Sequence, residues 1–234
     1  MLILAFETTA KSGSVALLQD GKLLAESYQN TGMTHSQTLL AMAEDMLKSS
    51  GLTPADVQAV AVAEGPGSFT GVRIGVAAAK GWAWGAQIPC YGVSTLEAMA
   101  ENLGIWDGYI VCAMDARRSQ VYNAIFEVKE GQLTRLRPDR AISLEELGEE
   151  IKNYQKPVFM VGDGALLCYN TLHEQIPVPV LPPEHHRHQR AAGVALVAQR
   201  KILAGEAGDA ATLTPNYLRL SQAERERLER ENKL

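Results

Sequence analysis

Leu2-Ile3-Leu4-Ala5-Phe6-Glu7-Thr8, Ser14-Val15-Ala16-Leu17-Leu18-Gln19 and Lys22-Leu23-Leu24-Ala25-Glu26-Ser27-Tyr28, with Asp20-Gly21 between the last two runs, decide how the chain is read. Each run is short and apolar or alternating, and an Asp-Gly pair between such runs is a strong hairpin signal because both turn positions tolerate positive φ. Three antiparallel strands therefore come first. A helix follows over 34–50, with Thr34 at the N-cap position, Gly51 past its end, and Leu39, Met42, Ala43, Met46 and Leu47 on one broad face. The apolar run 57–63 is short enough for a buried strand, and Gly65-Pro66-Gly67-Ser68 breaks it before a helix over 70–85. The order is β-β-β-α-β-α.

Further along, that order begins again. Strands are expected over 109–114, 120–128 and 132–137, with Glu130-Gly131 as a turn, then a capped helix over 143–154, a strand over 157–161 and a helix over 164–175. An acid closes the first strand of each copy, Glu7 in one and Asp115 in the other. Between the copies, a linking helix over 93–103 has Ser94 as N-cap with Glu97 completing a capping box. The boundary falls in 104–108, giving two α/β subdomains, 1–105 and 106–234. A Pro-rich passage over 177–183, a helix over 189–204 and a charged tail over 223–234 complete the chain.

A length of 234 residues allows one large or two small domains, and 46% hydrophobic with 21% charged residues excludes disordered, collagenous and coiled-coil readings. Lys and Arg number 22 against 27 Asp and Glu, so a net charge of −5 supplies no global basic field for nucleic acid or an anionic membrane. Cys90, Cys112 and Cys168 form no closely spaced metal pair and fit reduced core thiols in a cytosolic setting. The opening lacks a basic leader and reaches Glu7 too soon for a signal core, and the stretch 72–88 carries Arg73 and Lys80, which makes it a buried helix and not a membrane span.

The most distinctive segment is Glu64-Gly65-Pro66-Gly67-Ser68-Phe69-Thr70-Gly71-Val72-Arg73-Ile74-Gly75, between a buried strand and a helix N-terminus. Amides at such a junction can cradle an anion. A tight structural loop accounts for the same residues, and the segment lacks both the Walker ending and the dinucleotide spacing. Small residues at Gly71, Gly75 and Ala79, with Gly81 and Gly85 beyond, admit close packing either by the chain's own sheet or by a partner's helix. Two halves with an acid ending each first strand resemble the actin-like layout, in which a nucleotide and its metal occupy the cleft between halves; Glu7 and Asp115 would hold magnesium through water. A hydrogen-bonded structural role fits them equally. His185, His186 and His188 read as a solvated loop, and His35 has Leu39, not histidine, four residues on. No serine sits in a Gly-x-Ser-x-Gly elbow.

The glycine segment resembles that of the TsaB (YeaZ) family of bacterial partner proteins in the biosynthesis of threonylcarbamoyladenosine beside the tRNA anticodon. Further islands of resemblance are Ile3-Leu4-Ala5-Phe6-Glu7-Thr8-Thr9 with Ser14-Val15-Ala16, His35-Ser36, Ala79-Lys80-Gly81, Gly92-Val93-Ser94-Thr95-Leu96, Asp115-Ala116-Arg117-Arg118 and Pro215-Asn216-Tyr217-Leu218-Arg219. The resemblance implies a duplicated actin-like, ribonuclease-H-like fold and a non-catalytic subunit. That subunit pairs through its N-terminal helices with the paralogue TsaD, which carries the metal and the catalytic site, and is joined by the ATPase TsaE. Applied to this chain, it makes His35, Leu39, Met42, Ala43, Met46, Arg73, Val76, Ala77 and Lys80 the expected partner surface, with a homodimer as its alternative in isolation. Glu7, Gly65, Gly67, Ser68 and Asp115 are then a degenerate nucleotide site, weakened by Glu7-Thr8-Thr9 where the family usually has Asp-Thr-Ser. The implied chain holds no tight cofactor; ATP or ADP and magnesium belong to the complex, and tRNA is reached through it. The rival is an enzyme in its own right, a nucleotide hydrolase or a peptidase.

Overall fold

The computed structural model describes residues 1–219, so the charged tail expected over 223–234 lies outside the described residues. β1 (Leu2–Glu7), β2 (Gly13–Gln19) and β3 (Lys22–Gln29) form the antiparallel meander, turned by Asp20 and Gly21 at φ of 49° and 83°. α1 (His35–Ser49) and a 3-10 turn (Pro54–Asp56) lead to β4 (Ala59–Gly65), parallel to β1; α2 (Phe69–Ala86) leads to β5 (Cys90–Ser94), parallel to β4. The strand order is β3-β2-β1-β4-β5. β5 occupies residues expected to open the linking helix, which starts only at α3 (Thr95–Glu101). Ser94 does cap α3, its hydroxyl accepting from the Glu97 amide at 3.2 Å, but the Glu97 carboxylate turns away to Arg135 and Arg200 and closes no capping box.

The second half repeats the plan with β6 (Gly108–Asp115), β7 (Gln120–Lys129), β8 (Gln132–Ser143), α4 (Leu144–Ile151), β9 (Val158–Val161), α5 (Ala165–Leu172) and β10 (Pro179–Val180). Its order, β8-β7-β6-β9-β10, is that of the first sheet. β8 runs on to Ser143 instead of stopping at Arg137, and Ser143 with Glu146 forms the capping box of α4. The last elements among the described residues are α6 (Glu184–Arg187), where a loop was expected, and α7 (Ala191–Leu203).

Alternation along β1 explains the layering: Leu2, Leu4 and Phe6 pack with α1 and α2, whereas Ile3 and Ala5 face α7. Both faces are buried, hence the unbroken apolar run. Ala59, Ala61 and Ala63 of β4 keep the second face shallow, and Gly193 of α7 presses on the Ala98 carbonyl where no side chain fits. α3 serves both sheets, with Ala98 in the cluster of the first and Leu96, Met99 and Leu103 in that of the second; α4 and α5 cover the far side. The layers therefore run α1/α2, first sheet, α3/α7, second sheet, α4/α5. α7 returns to the first half although it follows the second in sequence. Ser14 Oγ and Glu26 Oε1 hold its N-terminus, accepting from the Ala191 and Ala192 amides at 2.7 and 3.1 Å. Cys90, Cys112 and Cys168 are free and buried, and desolvation pushes the thiols of Cys90 and Cys168 up to about 12, which leaves them inert in the core. Among the described residues no helix is long and apolar enough to cross a membrane.

Candidate functional site

β1 and β6 end side by side between the halves, and the loops that follow them wall a cleft of about 590 Å³. Thr9, Lys11 and Ser12 line it from the first half, and Asp115, Arg117 and Asp163 from the second. The two strand-end acids differ sharply. Glu7 is fully buried and does not reach the cleft surface; one carboxyl oxygen accepts from the Thr9 amide and hydroxyl, both at 2.6 Å, and the other has no partner among the described residues. Desolvation pushes its carboxyl up to about 7, against the pull of the Thr9 hydrogen bonds. Asp115 is exposed and accepts from the Arg117 amide at 2.7 Å, bracing a turn in which Arg117, Arg118 and Ser119 all hold positive φ, at 66°, 56° and 56°. Glu7 is thus a bracing acid behind the cleft wall, whereas Asp115 lines the cleft itself. The acid that sequence reasoning missed is Asp163, between Gly162 and Gly164 after β9; desolvation first, and the charge of Asp115 further down the order of causes, hold its carboxyl above the usual range. A Gly-Asp-Gly turn closing a strand was the available signal.

The glycine segment is closed by its own contacts. The Ser68 amide donates to the Thr9 carbonyl at 2.7 Å, and Gly67 lies so close that a Cβ would sit 2.5 Å from that oxygen. Ser68 caps α2, accepting from the Gly71 amide at 3.3 Å, and Gly65 is covered by the Asn216 backbone. Gly71 and Gly75 abut Thr8, whose hydroxyl donates to the Gly71 carbonyl at 2.8 Å. The loop therefore joins α2 to the end of β1.

The residues expected to face a partner divide. Leu39, Met42, Ala43, Met46 and Val76 are buried against the first sheet. His35 is half-buried, its Nε2 2.8 Å from the Ala10 carbonyl and its ring over Gly13. Lys80 donates to the Leu213 carbonyl at 2.9 Å, and Arg73 Nε donates to the Tyr217 hydroxyl at 2.8 Å with its guanidinium 3.9 Å over the Phe69 ring. Both clasp the segment 209–219, which crosses α2 and ends with Arg219 donating to the Ala116 carbonyl of the second half at 2.7 Å. Ala77 alone points freely outward. Beside it on α2 are exposed Gly81, Gly85 and Trp84, and α1 exposes Leu40 and Ala41. The amphipathic pattern locates an apolar face but not its cover, which is why the sheet-facing residues read as a surface.

Two sheets of one strand order, each opened by a β-β-β-α-β unit and flanking a central cleft, define the actin-like class of two-lobed α/β proteins. The model of the family described as TsaD, tRNA N6-adenosine threonylcarbamoyltransferase, matches residues 26–227. The chain is 35% identical over 230 residues to the tRNA threonylcarbamoyladenosine biosynthesis protein TsaB of Bacillus subtilis, covering 96% of each chain. It is 39% identical over 152 residues to TsaB of Escherichia coli, 64% of this chain and 65% of that one. The solved structure of YeaZ from Pseudomonas aeruginosa superposes with a TM-score of 0.74 at 27% identity, covering 93% of this chain and 99% of that one. The chain belongs to the TsaB family.

Proposed function

We propose that this chain is the non-catalytic partner subunit in the formation of threonylcarbamoyladenosine in tRNA, binding a TsaD-type paralogue as a heterodimer that a TsaE-type ATPase joins. The observation that carries the reading is 35% identity, over 96% of both chains, to a protein named for that biosynthesis. The geometry supports a binding role over a catalytic one. Of its two strand-end acids Glu7 is sealed behind Thr9, and the Ser68 amide of its glycine loop is bonded to the chain's own backbone. The partner surface is the outward side of α1 and α2, with Leu40 and Trp84 exposed by 53% and 67%, and not the inward face bearing Met42. Small residues at Ala77 and Gly81 let a partner's helix approach closely, and the same surface closing on itself gives a homodimer in isolation. In this reading no cofactor is held tightly by this subunit, and ATP, ADP and magnesium belong to the complex. Reconstituting the modification with and without the chain tests it: modified adenosine is expected only when the chain is added, and full yield without it overturns the reading. Calorimetry of the isolated chain with ATP and magnesium is expected to show no micromolar binding, which separates it from a nucleotide hydrolase.

A further inference from the structure

The net charge of −5 conceals an uneven distribution of cations. Among the described residues, Arg135, Arg137, Arg140, Arg190 and Arg200 each pair with a carboxylate away from the cleft, and Arg117 has only Asp115 at 3.7 Å with its own side chain 82% exposed. Arg73, Arg118, Arg187 and Arg219 have no carboxylate partner there. Of these only Arg219 lines the cleft; Arg73 touches its lining residues Phe69 and Tyr217, and Arg118 is exposed on the turn next to the lining residue Arg117. Lys11, exposed on the opposite loop, makes no hydrogen bond or ion pair among the described residues. The cleft also holds two carboxylates, Asp115, which accepts from the Arg117 amide at 2.7 Å, and Asp163, which accepts from Gln189 at 3.1 Å, against the cations Lys11, Arg117 and Arg219 of its lining.

Aromatic surface accompanies this charge. Tyr217 stacks on Phe69 with ring centroids 4.8 Å apart, remains 40% exposed, and its hydroxyl accepts from Arg73 Nε. Cations that follow a groove beside an exposed ring are the elements of single-stranded nucleic-acid binding, where phosphates meet Lys and Arg and a base stacks on the aromatic face. An acidic peptide has no use for the ring. A free nucleotide would want the Ser68 amide, which the Thr9 carbonyl has taken.

We propose that the mouth of the cleft contacts RNA directly, taking a single-stranded run with its phosphates on Lys11, Arg118 and Arg219 and a base against Tyr217. The inference rests on the proposed function in taking that RNA to be tRNA at its anticodon loop. It also departs from the expectation that tRNA is reached through the complex.

The test is fluorescence anisotropy of a labelled anticodon stem-loop RNA on the full chain, alone and bound to its TsaD-type partner, across a salt series. Tyr217→Ala is expected to weaken binding roughly tenfold, and Tyr217→Phe to leave it unchanged, because the ring and not the hydroxyl stacks. Lys11→Ala and Arg118→Ala are each expected to lower the slope of log K against log salt by about 0.7, the counterion release of one single-strand phosphate. Because both side chains are exposed and unbonded, a folding defect cannot mimic that result. Unchanged affinity and slope in Lys11→Ala and Arg118→Ala overturn the inference. So does displacement of the RNA by equimolar ATP or by polyglutamate of equal charge, which would reassign the site to a mononucleotide or an acidic peptide. If modification requires the chain but these variants bind RNA like wild type, the inference alone fails. If modification proceeds without the chain, the proposed function fails.

Discussion

Gly75 and Gly81 sit on one helix and meet opposite surroundings. A side chain at Gly75 would collide with the Thr8 hydroxyl and crowd Val62, whereas one at Gly81 would meet nothing within 4 Å. The inward line of Gly71, Gly75 and Ala79 is consumed by the chain's own sheet, and the outward line of Ala77, Gly81 and Gly85 is left uncovered by the described residues. A glycine costs a helix about 1 kcal/mol relative to alanine. On the inward side, close packing on β1 offsets that cost. On the outward side nothing among the described residues does, and a partner's helix is what the open glycines suit.

The largest effect that sharpens this contrast is expected on α1. Met42→Asp places a charge in the core among Leu2, Leu4 and Val60, and should destabilise the protein by about 4 kcal/mol, measured as a shift of the urea midpoint at constant m. A mild effect on stability would mean that the inward face is not core. Gly75→Val follows: overpacking against Thr8 and Val62 should cost roughly 3 kcal/mol in the same titration.

Glu7 probes the same inward structure through pH. Its folded carboxyl sits near 7 against an ordinary value of 4.5, so between those values the folded state binds the extra proton and stability falls as pH rises. From pH 4.5 to above 7 the loss should approach roughly 3 kcal/mol, and Glu7→Gln should remove that dependence in thermal melts across the range. A flat wild-type profile would show that the carboxylate is solvated. The smallest effect has the opposite sign: Gly81→Ala and Gly85→Ala should each raise stability by about 0.5–1 kcal/mol, since helix propensity is gained with no clash.

The contrast also marks how far the sequence could be read. The opening meander, the Asp20-Gly21 turn, the Ser143–Glu146 cap and the repeat of strand order follow from local rules, because period-two burial and turn chemistry act over a few residues. β5 and β10 escaped since they are short and take their identity from the strand beside them. The return of α7 to the first sheet and the crossing of 209–219 over α2 depend on partners distant in the chain, such as Ser14 with Ala191 and Lys80 with Leu213. At the site, Glu7 and Asp115 were legible as residues, but their opposite roles were not. Burial by neighbouring elements made one a brace with a raised carboxyl and left the other open to the cleft.

Ala77→Glu addresses the central claim most directly, because Ala77 is exposed on the outward face and its loss removes no packing within the chain. Co-elution of the variant with the TsaD-type partner in size-exclusion chromatography, alongside its urea midpoint, gives both readouts. The account predicts a wild-type midpoint and no co-elution. Full co-elution of a folded variant would contradict it and move the partner surface elsewhere.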